Sequence, residues 1–384
     1  ISEMVKLPEF ISYLKLRTSY TEVGSPITQT GITPGTVTDP MSGGVINPIS
    51  TYPYPDFKPE RTKSYEVGIN ARFLNGRISF DGTFYQSNTY NQTFLSVMSP
   101  ATGYSGFYVQ AGNVRNRGVE MTLGYNDTFG KVNYSTHLTY TANQNKIVEM
   151  VHDYRNPIDN SLVNITELTL KEAGDVYLRE GYSMSDVFTT GILQRGRDGK
   201  LVEEGNGYQV DRSQRIRLGS ADPDFTMGWR HDINYKNISL GLMITGRFGG
   251  IVTSQTQAFM DAFGVSKVSA EARDNGGVML DGHRYDAERY YNTVGGQGLM
   301  SYYTYDATNV RLQELSLTYS LPKKWLGDVF NNATISFVGR NLFMFYRKAP
   351  FDPDMNGSTG TYNRSDFFMA PSLRNLGFSI KFSL

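Results

Sequence analysis

The densest run of potential metal ligands is Asp352-Pro353-Asp354-Met355-Asn356-Gly357. It fits the opening D-x-D-x-N-G of a calcium loop, where oxygens at alternate positions converge on a hard cation. Pro353 is awkward in such a loop, and Asn363 stands where the closing glutamate belongs. A turn held by Asp and Pro accounts for the same residues and is the preferred reading. Calcium at Asp352, Asp354 and Asn356 is the weaker one, and no cofactor is expected. The four histidines, His137, His152, His231 and His283, lack metal-ligand spacing such as H-E-x-x-H, so structural roles are expected. Ser135 and His137 share a strand face, but they stand about 7 Å apart by strand rise, and no nucleophile motif surrounds them. Gly246-Arg247-Phe248-Gly249-Gly250 lacks the Lys-Ser/Thr and the following helix of a phosphate loop. It is expected to let a strand end turn into a loop. No covalent chemistry is expected of this chain.

Binding is the remaining chemistry. Tyr52, Tyr54, Tyr104, Phe107, Tyr302 and Tyr303 stand in segments between strands. Their rings could stack on sugars or pack loops together, and both readings stay open. Arg17, Glu66, Arg72, Asp81, Glu120, Lys131, Arg230, Asp232 and Arg247 fall on polar strand faces. They could guide a polar solute or bond a plug. The favoured reading is the polar, hydrated or plugged interior that a wide barrel needs.

Those residues need strands to position them, and ten stretches alternate with period two: 10–23, 62–74, 77–90, 107–126, 131–146, 224–235, 238–250, 308–321, 332–345 and 372–384. In the last, Leu376, Phe378, Ile380 and Phe382 share one face against Gly377, Ser379 and Lys381. Asn75-Gly76 predicts a two-residue hairpin turn. In 308–321, Val310 and Leu312 are out of phase with Leu315, Leu317 and Tyr319, which predicts a bulge near Gln313-Glu314. Connections alternate between long and short along the whole chain. In an antiparallel meander this places tight turns at one end and large loops at the other, the asymmetry of an outer-membrane barrel. Several stretches exceed the ~5–6 residues of globular strands and reach the ~9–11 that cross a bilayer at a tilt. A soluble sandwich or adhesin shares the alternation but not the loop asymmetry.

Composition agrees. Tyr (26), Phe (22) and Gly (39) are abundant while apolar content is only 39%, as expected when one strand face in two is apolar. Lys+Arg equals Asp+Glu at 37 each, which gives no argument for nucleic acid. Cysteine is absent, excluding disulfides and thiol chemistry. No apolar run is long enough for a membrane helix. Ile1-Ser2-Glu3-Met4 has no basic n-region or apolar core of a signal peptide. Because a strand begins almost at once, the chain is expected to be a portion of a longer protein.

Several segments resemble the C-terminal barrel half of SusC/RagA-type TonB-dependent transporters of Bacteroidota. They are Leu14-Lys15-Leu16-Arg17-Thr18-Ser19-Tyr20 with Val23-Gly24, Ser64-Tyr65-Glu66-Val67-Gly68, and Phe73-Leu74-Asn75-Gly76-Arg77-Ile78. Gly112-Asn113-Val114, Asn116-Arg117-Gly118-Val119-Glu120, Arg311-Leu312, Leu317-Thr318-Tyr319-Ser320-Leu321-Pro322 and Gly339-Arg340-Asn341-Leu342 complete the set. The resemblance implies an all-β, antiparallel transmembrane β-barrel with about ten of 22 strands in residues 1–384. It also implies that the plug domain and N-terminal strands lie outside this chain. The implied function is TonB-dependent import of glycans or oligopeptides across the bacterial outer membrane. Implied partners are a SusD-like surface lipoprotein, the TonB-ExbB-ExbD system, an oligosaccharide or peptide substrate and outer-membrane lipid. Met98–Ser105 and loops 147–223 and 253–307 depart from the family pattern, so cargo is not named. The alternatives are an outer-membrane hydrolase and a small stand-alone ten-strand barrel or adhesin.

Overall fold

The computed structural model describes residues 7–26, 51–52, 57–155, 161–170, 176–326, 330–354 and 365–383. Two compact units divide the chain, Ile1–Met184 and Ser185–Leu384. The first is an antiparallel meander of β1 (Ile11–Ser25), β2 (Glu60–Phe73), β3 (Ile78–Tyr90), β4 (Asn113–Phe129) and β5 (Val132–Glu149). The second repeats the plan with β6 (Phe225–Tyr235), β7 (Ile238–Phe248), β8 (Asn309–Ser320), β9 (Asn332–Arg347) and β10 (Asn375–Ser383). The expected alternation of connections holds. Segments 74–77, 130–131, 236–237 and 321–331 are short, and 26–59, 91–112, 150–224, 249–308 and 348–374 are long.

Register makes each face uniform. Leu240, Leu317, Phe337 and Phe378 stand side by side across β7 to β10. Arg230, Met243, Glu314 and Arg340 form a row on the opposite face of β6 to β9. In the first unit Val67, Phe84 and Val119 align on the apolar face, and Gly68, Thr83 and Glu120 on the polar one. The apolar rows are left open: Phe378 is 68% exposed and Val67 55%. In water such a sheet would aggregate. A hydrocarbon surround satisfies it. The bulge falls at Gln313, which has no partner between the pairs Met243–Glu314 and Ile244–Leu312.

Three details differ from expectation. Phe73 still pairs with Ile78, so the Asn75-Gly76 turn has four residues, with Leu74, Asn75 and Gly76 all at positive φ. The stretch 107–126 is two strands, because the chain breaks at Gly112, where a Cβ would stand 2.9 Å from the Met150 carbonyl. Its first part, Gly106–Ala111, pairs with Gln92–Val97 and Thr51–Tyr52 in a separate small sheet. Lys131 lies in the tight turn before β5 rather than on its polar face.

The long connections are folded. In the second unit the hairpin of Asp186–Leu193 with Val210–Ser220 accompanies α1 (Gln255–Ala262), α2 (Lys267–Asp274) and α3 (Ala287–Val294). Ser254, Ser266 and Asp286 start these helices, each accepting a bond from the amide three residues on. Leu193, Leu201, Tyr208, Tyr285, Tyr291 and Leu299 build their shared core.

Candidate functional site

The polar wall of the first unit is built on glycine windows. Arg17 lies across Gly68, where a Cβ would stand 2.9 Å from its Nη2. The guanidinium thereby crosses a whole strand to reach Asp81 (2.7 Å) and the Thr83 hydroxyl (3.0 Å). Asn70 donates to the other Asp81 oxygen at 2.7 Å. One strand pair further, Tyr85 crosses Gly118 in the same way and donates to Asn143 at 3.0 Å. Arg17, Thr83 and Tyr85, with Ser19, Glu66 and Glu120, line a recess of about 570 Å³. Ser19 donates to Glu66 at 3.4 Å, and Glu120 takes no ion partner among the described residues. The recess offers a guanidinium, hydroxyls and carboxylates, groups of both signs that can hydrogen-bond polar partners.

The expected inward charges of the second unit also pair. Arg230 binds Asp232 through two bonds of 2.8 Å, and Glu314 lies 3.9 Å from Arg230 and 3.1 Å from Arg340. In the first unit Arg72 stacks 5.6 Å from the Tyr13 ring.

The calcium-like motif is occupied by an arginine. Arg311, 7% exposed, lies 2.8 Å from Asp352 and 2.6 Å from Asp354. The Asn309 side-chain oxygen Oδ1 accepts from it at 3.2 Å, and Arg247 stands 3.8 Å from Asp354. Pro353 is fully buried between the two aspartates. Burial pushes the Asp352 carboxyl up, but Ser372, Arg311 and the Asp354 amide outweigh it and hold it below the usual range. The carboxylates thus clasp a guanidinium and pin the loop start onto β8. Asn356 lies outside the described residues. Among the described residues no three His, Cys, Asp or Glu side chains gather at metal distance.

The loop aromatics divide into two groups. Tyr52 and Tyr104 meet edge to face at 5.1 Å, and Tyr52 pairs with Phe107 along the small parallel bridge, all three half-buried. Tyr54 lies outside the described residues. Tyr302 and Tyr303 belong to the loop core instead. Tyr303 is 2% exposed, and the Tyr302 hydroxyl accepts from the Leu193 amide at 3.1 Å. Burial, and behind it the Asp261 carboxyl, pushes the phenols of Tyr290 and Tyr303 up, and that of Tyr305 up to about 12. Residue patterns did not disclose the cleft of about 410 Å³ between the three helices, lined by Asp261, Phe263, Arg273, Glu288 and Asn292.

The remaining candidates are dispersed. Ser135 donates to Asn126 rather than to His137. His137 flanks Gly124 on the polar face of β5. His152 faces Glu180 at 3.3 Å, His231 packs on Trp229 at 4.4 Å, and His283 lies against Tyr285 at 6.4 Å. Gly249 and Gly250 take positive φ where β7 enters its loop, as expected.

Comparison with known proteins agrees with this architecture. The family model described as TonB dependent receptor-like, beta-barrel matches residues 8–245. TonB-dependent receptor P3 of Formosa agariphila is 25% identical over 404 positions, covering 97% of this chain and 40% of that protein. TonB-dependent receptor P26 of the same organism is 25% identical over 321 positions, covering 78% of this chain and 32% of its own length. The chain therefore spans well under half of these relatives. Among solved structures, the RagAB peptide transporter superposes with a TM-score of 0.71 at 17% identity, covering 99% of this chain and 42% of that one. Its 'open-open' state gives 0.68 at 18% identity, covering 100% and 41%. These likenesses establish the fold. With the family model matching more than half of the chain, this protein belongs to the TonB-dependent receptor-like β-barrel family.

Proposed function

We propose that this chain is the C-terminal barrel part of a TonB-dependent importer in the bacterial outer membrane. It admits glycans or oligopeptides, solutes too large for passive diffusion. The observation that carries this reading is the pairing of an open apolar face with a polar wall on strands of membrane length, joined by alternating tight turns and large folded loops. Capture falls to the long loops on the extracellular side, under a SusD-like surface lipoprotein. Release inward follows energy delivered by TonB-ExbB-ExbD to a plug outside this chain. The polar wall around Arg17, Asp81, Tyr85 and Glu120 gives that plug, or the passing solute, hydrogen-bonding partners on β1, β3 and β4. The chain's own part is binding and passage, with no bond made or broken.

The test is uptake. Cells lacking the gene for the intact receptor are supplied with labelled oligopeptides or oligosaccharides, with and without the proton motive force. Energy-dependent uptake of one class, lost on deletion and restored by the gene, is the expected result. Unchanged uptake of both classes in the deletion strain contradicts the proposal. Co-purification of a surface lipoprotein with the receptor tests the lid.

A further inference from the structure

Two neighbouring tight turns of the second unit are bonded to each other. The Ser320 amide donates to the Asn237 carbonyl at 2.8 Å, and the Asn237 side chain donates to the Ser320 carbonyl at 2.8 Å. The first turn carries Lys236, and the second opens with the short 3-10 turn Lys323–Trp325. Three ammonium groups are thereby brought to one corner. Lys323 spends one donor on the Phe330 carbonyl at 2.9 Å. Lys236 lies 5.2 Å over the Tyr235 ring. No ion pair joins any of the three to a carboxylate among the described residues, and Asp328 of the second turn lies outside them.

The opposite ends of the same strands are built differently. There Arg311 meets Asp352 and Asp354, Arg247 meets Asp354, and Lys348 meets Asp306 at 2.6 Å. Arg247, Arg311 and Lys348 at the long-loop end meet carboxylates, and among the described residues the three turn lysines do not. Around the uncompensated lysines the exposed rings are amphipathic. Trp325 is 62% exposed, and Tyr235 and Tyr319 flank Ile238 in one register row at the border of the apolar face. Tyr and Trp gather where hydrocarbon meets headgroups. Uncompensated lysines at that depth attract anionic headgroups by about fivefold each.

We propose that the bonded turns of β6–β7 and β8–β9 form a docking site for anionic phospholipid headgroups in the leaflet at the tight-turn end. Lys236, Lys323 and Lys324 receive the headgroup phosphate, and Tyr235, Tyr319 and Trp325 hold the turn at the interface. Charge complementarity selects this occupant, and the site rests on the membrane reading above.

The test uses the intact receptor with its natural partners. It is placed in nanodiscs of equal phosphatidylglycerol and phosphatidylcholine, and retained lipid is counted by native mass spectrometry. Phosphatidylglycerol should be enriched on the wild type. The triple variant K236Q/K323Q/K324Q should lose that preference by on the order of a hundredfold, and K267Q, on the exposed face of α2, should keep it. Raising salt on the wild type should erode the preference without any substitution, so the site stays testable if the triple variant fails to fold. Equal retention of the two lipids by the wild type, or an unchanged preference in the triple variant, overturns the site while leaving the barrel intact. Loss of a co-purifying acidic protein with lipid preference unchanged assigns the turns to that protein and likewise overturns it. Failure to enter a bilayer at all removes the membrane reading itself.

Discussion

Within residues 185–384 the strands and the long connections follow opposite rules. The strands carry Leu317, Phe337 and Phe378 on an open face and leave their burial to a surrounding lipid phase. The connections fold Leu193, Tyr208, Val294 and Leu299 into a core of their own, with Leu299 fully buried. One part is completed by its solvent and the other by its own side chains. A membrane barrel needs both: a wall that is stable in hydrocarbon, and loops that hold a shape of their own.

That contrast can be broken in order of expected effect. Arg311→Ala leaves the largely buried Asp352 and the part-exposed Asp354 without their guanidinium. It should cost about 3–5 kcal/mol of local stability, read as accelerated proteolysis in 348–374 with the strands still protected. Leu299→Ala opens a cavity in the loop core and should cost about 2–5 kcal/mol. Hydrogen exchange should then rise in 185–221 and 255–305, whereas Leu240→Ala on the strand face should leave those amides unchanged. Phe378→Arg tests the other rule. It should destabilise the barrel by about 2–4 kcal/mol if it lies near the bilayer midplane, measured as loss of heat-resistant migration on gels. Gly118→Ala forces Tyr85 and the Ala142 carbonyl apart, since a Cβ would lie 2.5 Å from the Tyr85 hydroxyl and 2.4 Å from that carbonyl. A loss of about 1–3 kcal/mol is expected.

Acid should act on the clasp at Arg311. The Asp352 carboxyl is held below its usual range, so the unfolded chain binds more protons as the pH falls. Its contribution is complete above the ordinary aspartate value of about 3.9 and is lost as the pH falls through its own depressed value. Asp306 shows the same direction: burial raises it, but Lys348 and Thr308 prevail. Protease sensitivity of 348–354 should therefore stay flat from neutral pH down to about 4 and climb only below it.

The same contrast explains what could be read in advance. An apolar surround on one face and a polar one on the other impose a strict period of two, so the strands and the bulge at Gln313 were legible. The break at Gly112 was not, because what excludes a side chain there, the Met150 carbonyl and the Glu149 side chain, comes from far along the chain. Helices α1 to α3 have good caps at Ser254, Ser266 and Asp286, but at eight residues each they carry too little periodicity to stand out. Asp352 and Asp354 were visible as a pair of carboxylates. Their partner Arg311 lies 41 residues from Asp352, a distance over which spacing carries no signal. Tyr52 and Tyr303 looked alike as loop aromatics, yet one is half-buried in a small sheet and the other sealed in a core.

The central claim is that opposite strand faces meet opposite solvents, and the absence of cysteine from this chain makes it directly measurable. Single substitutions Phe337→Cys and Phe378→Cys on one face, and Ser336→Cys and Ser379→Cys on the other, would be made in the intact receptor and carry a fluorescent or spin label. The two phenylalanine positions should respond to lipid-borne quenchers alone, and the two serine positions to water-soluble ones alone. Identical responses from both faces would contradict the account.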